Sequence, residues 1–196
     1  GDTALDSLDG SSPGGSNTAI GSGALTANTT ASNNTAVGYQ AAFSGTTADN
    51  AVAVGRQALY SATTGGQNVA VGSTAMYATT GDSNVSLGTS TLRFNTSGSS
   101  NTAIGHQSLY SNSTATNNTA VGYQSLYSNT TGAVNTAFGQ QALRANTTAF
   151  NNSAFGSAAL YANTTGEYNT GIGAQALASN TTANYNTGVG YQALNL

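Results

Sequence analysis

The chain has 196 residues, of which only 5% are charged, a formal net charge of −3 and no cysteine. A surface this poor in charge offers no long-range field for a phosphate backbone or an anionic lipid, so nucleic acid and membrane surfaces are excluded as partners. The absent cysteines exclude a disulfide scaffold, and no apolar run is long enough to cross a bilayer or look like a signal peptide, so direct membrane insertion is not expected.

Low charge with abundant Gly, Asn, Thr and Ser is also a composition of disordered chains. Here 38% of residues are hydrophobic and ten are tyrosine. Their strict periodicity argues for order. Residues 1–16, with Asp2, Asp6 and Asp9, read as an irregular lead-in. Residues 17–196 read as ten full repeats and a truncated eleventh.

A glycine anchors each repeat, at Gly21, Gly38, Gly55, Gly72, Gly88, Gly105, Gly122, Gly139, Gly156, Gly173 and Gly190. Successive glycines are 17 residues apart except for the 16 between Gly72 and Gly88, where the gap falls in the Tyr77–Thr80 stretch. Ahead of each glycine comes a short alternation such as Thr119-Ala120-Val121 or Val69-Ala70-Val71. Large and small residues alternating over so few positions predict a strand, with the large residues expected inside and the small ones on the other face.

Four residues after the glycine stands a second apolar column, with Leu59, Met76, Leu92, Leu109 and Leu126 among its members. It predicts a second short strand, with a single helical turn as the alternative. A frequent tyrosine follows, and then an Asn-Thr-Thr stretch with the chemistry of a turn. Asparagine also stands four places before the glycine in every repeat but one, where Ala51 replaces it. Stacked coils would align these asparagines in an amide ladder and the threonines in a second polar ladder. The fold expected is therefore all-β, a parallel β-solenoid of 17-residue coils, with its large-residue columns stacked like on like. Within it Phe138 and Phe155 should stack on each other in the interior. The face of small residues should pack against further copies of the chain.

The motifs Gln67–Gly72 and Ser83–Gly88, together with Asn17–Gly21, Asn101–Gly105 and Asn118–Gly122, resemble the head repeats of trimeric autotransporter adhesins of the YadA-like type. Units such as Asn118–Gly132 also look like stretches of phage tail fibres. The resemblance implies a left-handed β-roll in a homotrimeric fibre, extracellular, on a bacterial cell surface or a virion. It implies a role in length, rigidity and attachment to a host-surface glycan or protein receptor. The chain departs from adhesin heads in its longer coil, with an inserted Asn-Thr-Thr turn, and no neck, coiled-coil stalk or membrane anchor is legible. Bacterial and viral origins both stay open.

Catalytic chemistry is not expected, nor is a cofactor or metal. The one histidine, His106, has no acid or cysteine near it in sequence, and Asp49, Asp82 and Glu167 sit at or near one turn column in separate repeats. Such residues read as solvated surface positions, not as a triad, a metal site or a glycosidase pair. The candidate receptor contact is the tyrosine column, Tyr60, Tyr77, Tyr110, Tyr127 and Tyr161, although the reading preferred for it is that the rings cover the leucine column or a seam between chains. An ice-binding solenoid using threonine ranks is the alternative function. The paired turn threonines count against it, because adjacent residues of a strand point to opposite faces.

Overall fold

A computed structural model describes residues 15–195. The lead-in expected over residues 1–16 falls almost wholly outside them. The strands are β1 (Thr18–Ile20), β2 (Thr35–Val37), β3 (Val52–Val54), β4 (Val69–Val71), β5 (Val85–Leu87), β6 (Thr102–Ile104), β7 (Thr119–Val121), β8 (Thr136–Phe138), β9 (Ser153–Phe155), β10 (Thr170–Ile172) and β11 (Thr187–Val189). They form one parallel 11-stranded sheet in chain order. Each residue pairs with its counterpart one coil away, as Ala120 does with Ala137. This is the parallel β-solenoid that the repeat predicts, and at ~4.8 Å per strand its ten coil steps span about 50 Å.

The short fourth interval of the sequence pattern does not disturb the register. Val71 pairs with Leu87 across the 16-residue coil, as a gap confined to the turn requires. A residue lost from the strand would have turned every later side chain to the opposite face.

The inside of the coil differs from the sequence expectation. The middle, small residue of each strand points inward: Ala36, Ala70, Ala103, Ala120, Ala137 and Ala154 are wholly buried. The larger residues flanking it line the outer face, and Phe138 and Phe155 are 40% and 42% exposed. The expected placement of the large strand residues inside is therefore reversed.

The reason is width. The wall opposite the strand carries the buried small residue three after the glycine, such as Ser125 or Ala142, and then the buried leucine, such as Leu126 or Leu143. A Cβ built on Gly171, in the strand middle, would lie 3.3 Å from Leu160 Cγ and 3.1 Å from the Ala176 carbonyl oxygen. One residue of this column per coil, leucine except at Ala42 and Met76, fills the space between the walls, and only small residues fit around it. The same packing removes the small residues from any contact between chains.

The leucine column itself is buried as expected, but it does not lie on a second strand. Each coil turns through left-handed residues instead, for example Asn117 (φ 59), Gln124 (φ 52) and Leu126 (φ 49). Left-handed conformations cost non-glycine residues roughly 1–2 kcal/mol each. They recur here because burial of the leucine and hydrogen bonds along the axis offset that strain. The anchor glycine is required twice over. Gly38 has φ +133, and a Cβ there would lie 2.6 Å from the Gly55 carbonyl oxygen of the next coil.

Two asparagine columns run through the buried interior. Asn118, four before the glycine, accepts a hydrogen bond from the Asn135 N–H at 2.9 Å on its Oδ1, and its Nδ2 donates to the Gly132 carbonyl at 2.9 Å. Asn112, Asn129 and Asn146 form the second column, in which Asn129 Nδ2 donates to Asn112 Oδ1 (3.1 Å) and Asn146 Nδ2 to Asn129 Oδ1 (2.8 Å). The turn threonines bond to backbone, not to one another: Thr130 Oγ1 donates to the Thr147 carbonyl oxygen at 3.0 Å. These bonds satisfy polar groups that would otherwise be buried without partners.

Candidate functional site

Two surfaces of the rod concentrate the side chains that could meet a partner. The first is the outer face of the sheet. Because alternate strand residues share a face, the residue before each anchor glycine and the one two places earlier project outward in parallel columns. One column is wholly apolar: Ile20, Val37, Val54, Val71, Leu87, Ile104, Val121, Phe138, Phe155, Ile172 and Val189. Its neighbour is Thr, Val or Ser throughout, from Thr18 to Thr187. No residue of either column is charged. Phe138 and Phe155 stack on this face with ring centroids 5.4 Å apart and planes 8° from parallel.

The second surface holds the tyrosines named as candidates for receptor contact. All five lie in one half-buried column, five residues after the anchor glycines. The structure adds members that the sequence pattern did not single out, Phe43, Arg93 and Arg144. Phe43 stacks on Tyr60 (5.2 Å) and Tyr60 on Tyr77 (4.9 Å). The Arg93 guanidinium lies 5.8 Å from the centre of the Tyr77 ring and 5.6 Å from that of Phe94, which meets Tyr110 edge to face. Tyr110 stacks on Tyr127 at 5.1 Å, and Arg144 sits 5.4 Å from the Tyr127 ring and 5.8 Å from the Tyr161 ring. The register of the arginines with the tyrosines was legible in the spacing, since both stand five after a glycine.

A cation over an aromatic face is attracted by the ring quadrupole, so arginine replaces a ring in this stack without breaking it. The consequence for binding is restrictive. Tyr60, Tyr77 and Tyr127 each have both faces engaged by column neighbours, and Tyr110 is engaged by Tyr127, stacked, and by Phe94, edge to face, so these four offer solvent little free ring face. Tyr161 differs: Arg144 covers one face and donates from Nη1 to its hydroxyl at 3.2 Å, while the coil on the other side carries Ala178.

Beside this column runs a surface ladder of glutamine amides that sequence reasoning missed. Gln57 Nε2 donates to Gln40 Oε1 at 2.9 Å, Gln124 to Gln107 at 2.9 Å and Gln192 to Gln175 at 2.8 Å. Arg144 Nε ties the two columns together through Gln124 Oε1 at 3.2 Å. The signal available was the recurrence of Gln two places after the glycine, with Gly23 in the same position.

The remaining singled-out residues are dispersed. His106 is exposed and stacks on Tyr123 at 5.7 Å. Asp49 Oδ1 accepts from the Ser32 N–H at 2.6 Å and Asp82 Oδ1 from the Gly66 N–H at 2.9 Å, so both serve the turn of the preceding coil. Among the described residues no group of three or more His, Asp or Glu could hold a metal ion, and no helix is long and apolar enough to cross a membrane. Compared with protein-family models, with curated proteins and with solved structures, the chain matches none.

Proposed function

We propose that the chain is a structural fibre segment, three parallel copies of which associate in register through the outer faces of their sheets. The observation that carries this reading is the unbroken, uncharged column of aliphatic and aromatic side chains from Ile20 to Val189. Soluble monomers rarely leave so large a contiguous apolar strip facing water, and such strips mark association surfaces. The column repeats with the coil, so a second copy sliding along the axis by one coil finds the same partner chemistry, and register is maintained by burying the largest members, Phe138 and Phe155, together.

Three chains in parallel is the arrangement that the resemblance to adhesin head and tail-fibre repeats implies. In that setting the rod contributes length and rigidity to an extracellular fibre on a bacterial cell surface or a virion, and carries receptor contacts on the sides turned away from the axis. No step of this role calls for catalysis or a cofactor. Light scattering on the folded protein should return three chain masses. A folded monomer at micromolar concentration would exclude the reading.

One observation favours a second function. Thr102, Thr119 and Thr136 pair in register and form a rank on the outer face of the sheet. The paired turn threonines do not, since the first of each pair spends its hydroxyl on the next coil. A flat threonine rank is the feature expected of ice binding. It is interrupted by Val52, Val69, Val85 and Ser153, which favours association over ice. Thermal hysteresis in solutions of the purified protein would reverse that preference.

A further inference from the structure

The glutamine column at this corner of the rod also lacks glutamine at Gly23, Thr74 and Ser90, but alanine interrupts the glutamine and tyrosine columns at one place only. Ala158 stands where the neighbouring coils have Gln141 and Gln175, and Ala178 stands where the preceding coil has Tyr161. The two truncations are in adjacent coils and open a single cavity of about 570 Å³, within the range of small-molecule sites. Tyr161 and Ala162 line it from one coil, Gln175 and Ser179 from the next, and Asn195 from the coil after that.

We propose that this notch binds the pyranose ring of a neutral glycan. The face of Tyr161 turned away from Arg144 is not covered by a ring from the next coil, and it supplies an apolar platform of the size of one sugar's C–H face. The polar groups around it are amides and hydroxyls: Gln175 uses its Oε1 to accept from Gln192, a bond that leaves its Nε2 hydrogens for a ligand, and Ser179 and Asn195 share one hydrogen bond of 2.8 Å at the rim. No charged side chain lines the cavity, so an anionic or cationic ligand finds no partner there. A sugar presents what these walls require, one apolar face and a circumference of hydroxyls. Arg144, held on the far face of Tyr161 by Gln124, fixes the platform.

The proposal gives a ligand class to the receptor attachment put forward above, and its test is separate from that of three-chain association, which is read by particle mass. Saturation-transfer NMR with the methyl glycosides of glucose, galactose and N-acetylglucosamine at millimolar concentration should show transfer to the pyranose ring protons of at least one. Ala178→Tyr completes the stack with the residue its column otherwise carries, and should weaken that binding by roughly tenfold or more while the fold is kept. Ala158→Gln fills the notch from its other side and should act in the same direction. Tyr60→Ala, in the sealed part of the column, should leave binding unchanged. Absence of transfer to all three glycosides overturns the proposal, and so does equal binding by the folded Ala178→Tyr and Ala158→Gln variants.

Discussion

Phe138 and Phe155 lie one coil apart with their rings stacked face to face, and the stack stands on the outside of the sheet. A charge introduced there meets solvent, not the interior. The double variant Phe138→Asp/Phe155→Asp should therefore keep its β-sheet circular dichroism. It loses a ring pair worth about 0.5–1.5 kcal/mol beyond area burial. Its effect should fall on association, because two like charges per chain would face each other across the seam. Light scattering should give a single chain mass for the variant. Retention of the parent's mass would separate these phenylalanines from any interface.

The interior should respond in the opposite way. Leu126 is fully buried between walls of small residues, and truncating it leaves a void that the stacked backbone cannot collapse to fill. Leu126→Ala should cost about 2–5 kcal/mol in chemical denaturation. Ala137 is equally buried, and Ala137→Leu should destabilise by overpacking, by roughly 1–3 kcal/mol. A neutral Ala137→Leu would mean that the coil has more room than the Gly171 and Leu160 contact allows.

These contrasts show what the sequence could and could not disclose. The spacing of the glycines fixes period, register and direction, because parallel stacking makes every residue its own neighbour, and Val71 opposite Leu87 follows from that alone. It does not fix which strand face is inner. Thr119-Ala120-Val121 alternates equally well either way, and the decision depends on how near the opposite wall comes, which is a property of the closed coil. The leucine column was legible as core but not as left-handed backbone, since leucine has no intrinsic preference for that conformation and takes it only because burial favours it. At the corner, the tyrosine column was visible as a row. Its sealing by Arg93 and Arg144 depended on seeing that a guanidinium can take a ring's place.

The second asparagine ladder is broken over three coils, where Gly45, Ala62 and Thr79 replace asparagine. Asn28 Oδ1 is left buried without a hydrogen-bond partner at the break. A Cβ on Gly45 would come no nearer than 3.4 Å to any neighbouring atom, so a side chain fits there. Gly45→Asn/Ala62→Asn should supply the missing donors and extend the ladder to Thr79, whose hydroxyl already accepts from Asn95 Nδ2 at 3.1 Å. Each restored buried bond contributes about 0.5–1.5 kcal/mol net. The variant should show a higher denaturation midpoint with an unchanged slope. A lower midpoint would mean that these coils are closed too tightly for an amide.

The shortened coil should be where the rod opens first. In full-length coils the backbone N–H groups six and seven residues after the glycine are bonded, as in Ser128 to the Arg144 carbonyl (3.0 Å) and Asn129 to the Leu126 carbonyl (3.2 Å). The corresponding groups of Ala78 and Thr79 make no backbone hydrogen bond, and on the preceding coil neither do the N–H groups of Thr63 and Thr64, eight and nine after the glycine, where Thr130 and Thr131 both bond the Thr147 carbonyl. The sheet pairing on either side of them is intact, so the loss is confined to one turn. Exchange protection falls where backbone bonds are missing and contacts are few. Native-state hydrogen exchange should find the Thr63, Thr64, Ala78 and Thr79 amides exchanging well before those of Ser128, Asn129 and Thr130. Inserting one asparagine between Ala78 and Thr79 restores the 17-residue coil and should bring their protection toward that of the later coils. Uniform protection along the unaltered rod would show that the turn closes through bonds other than these, and that the short coil carries no local weakness.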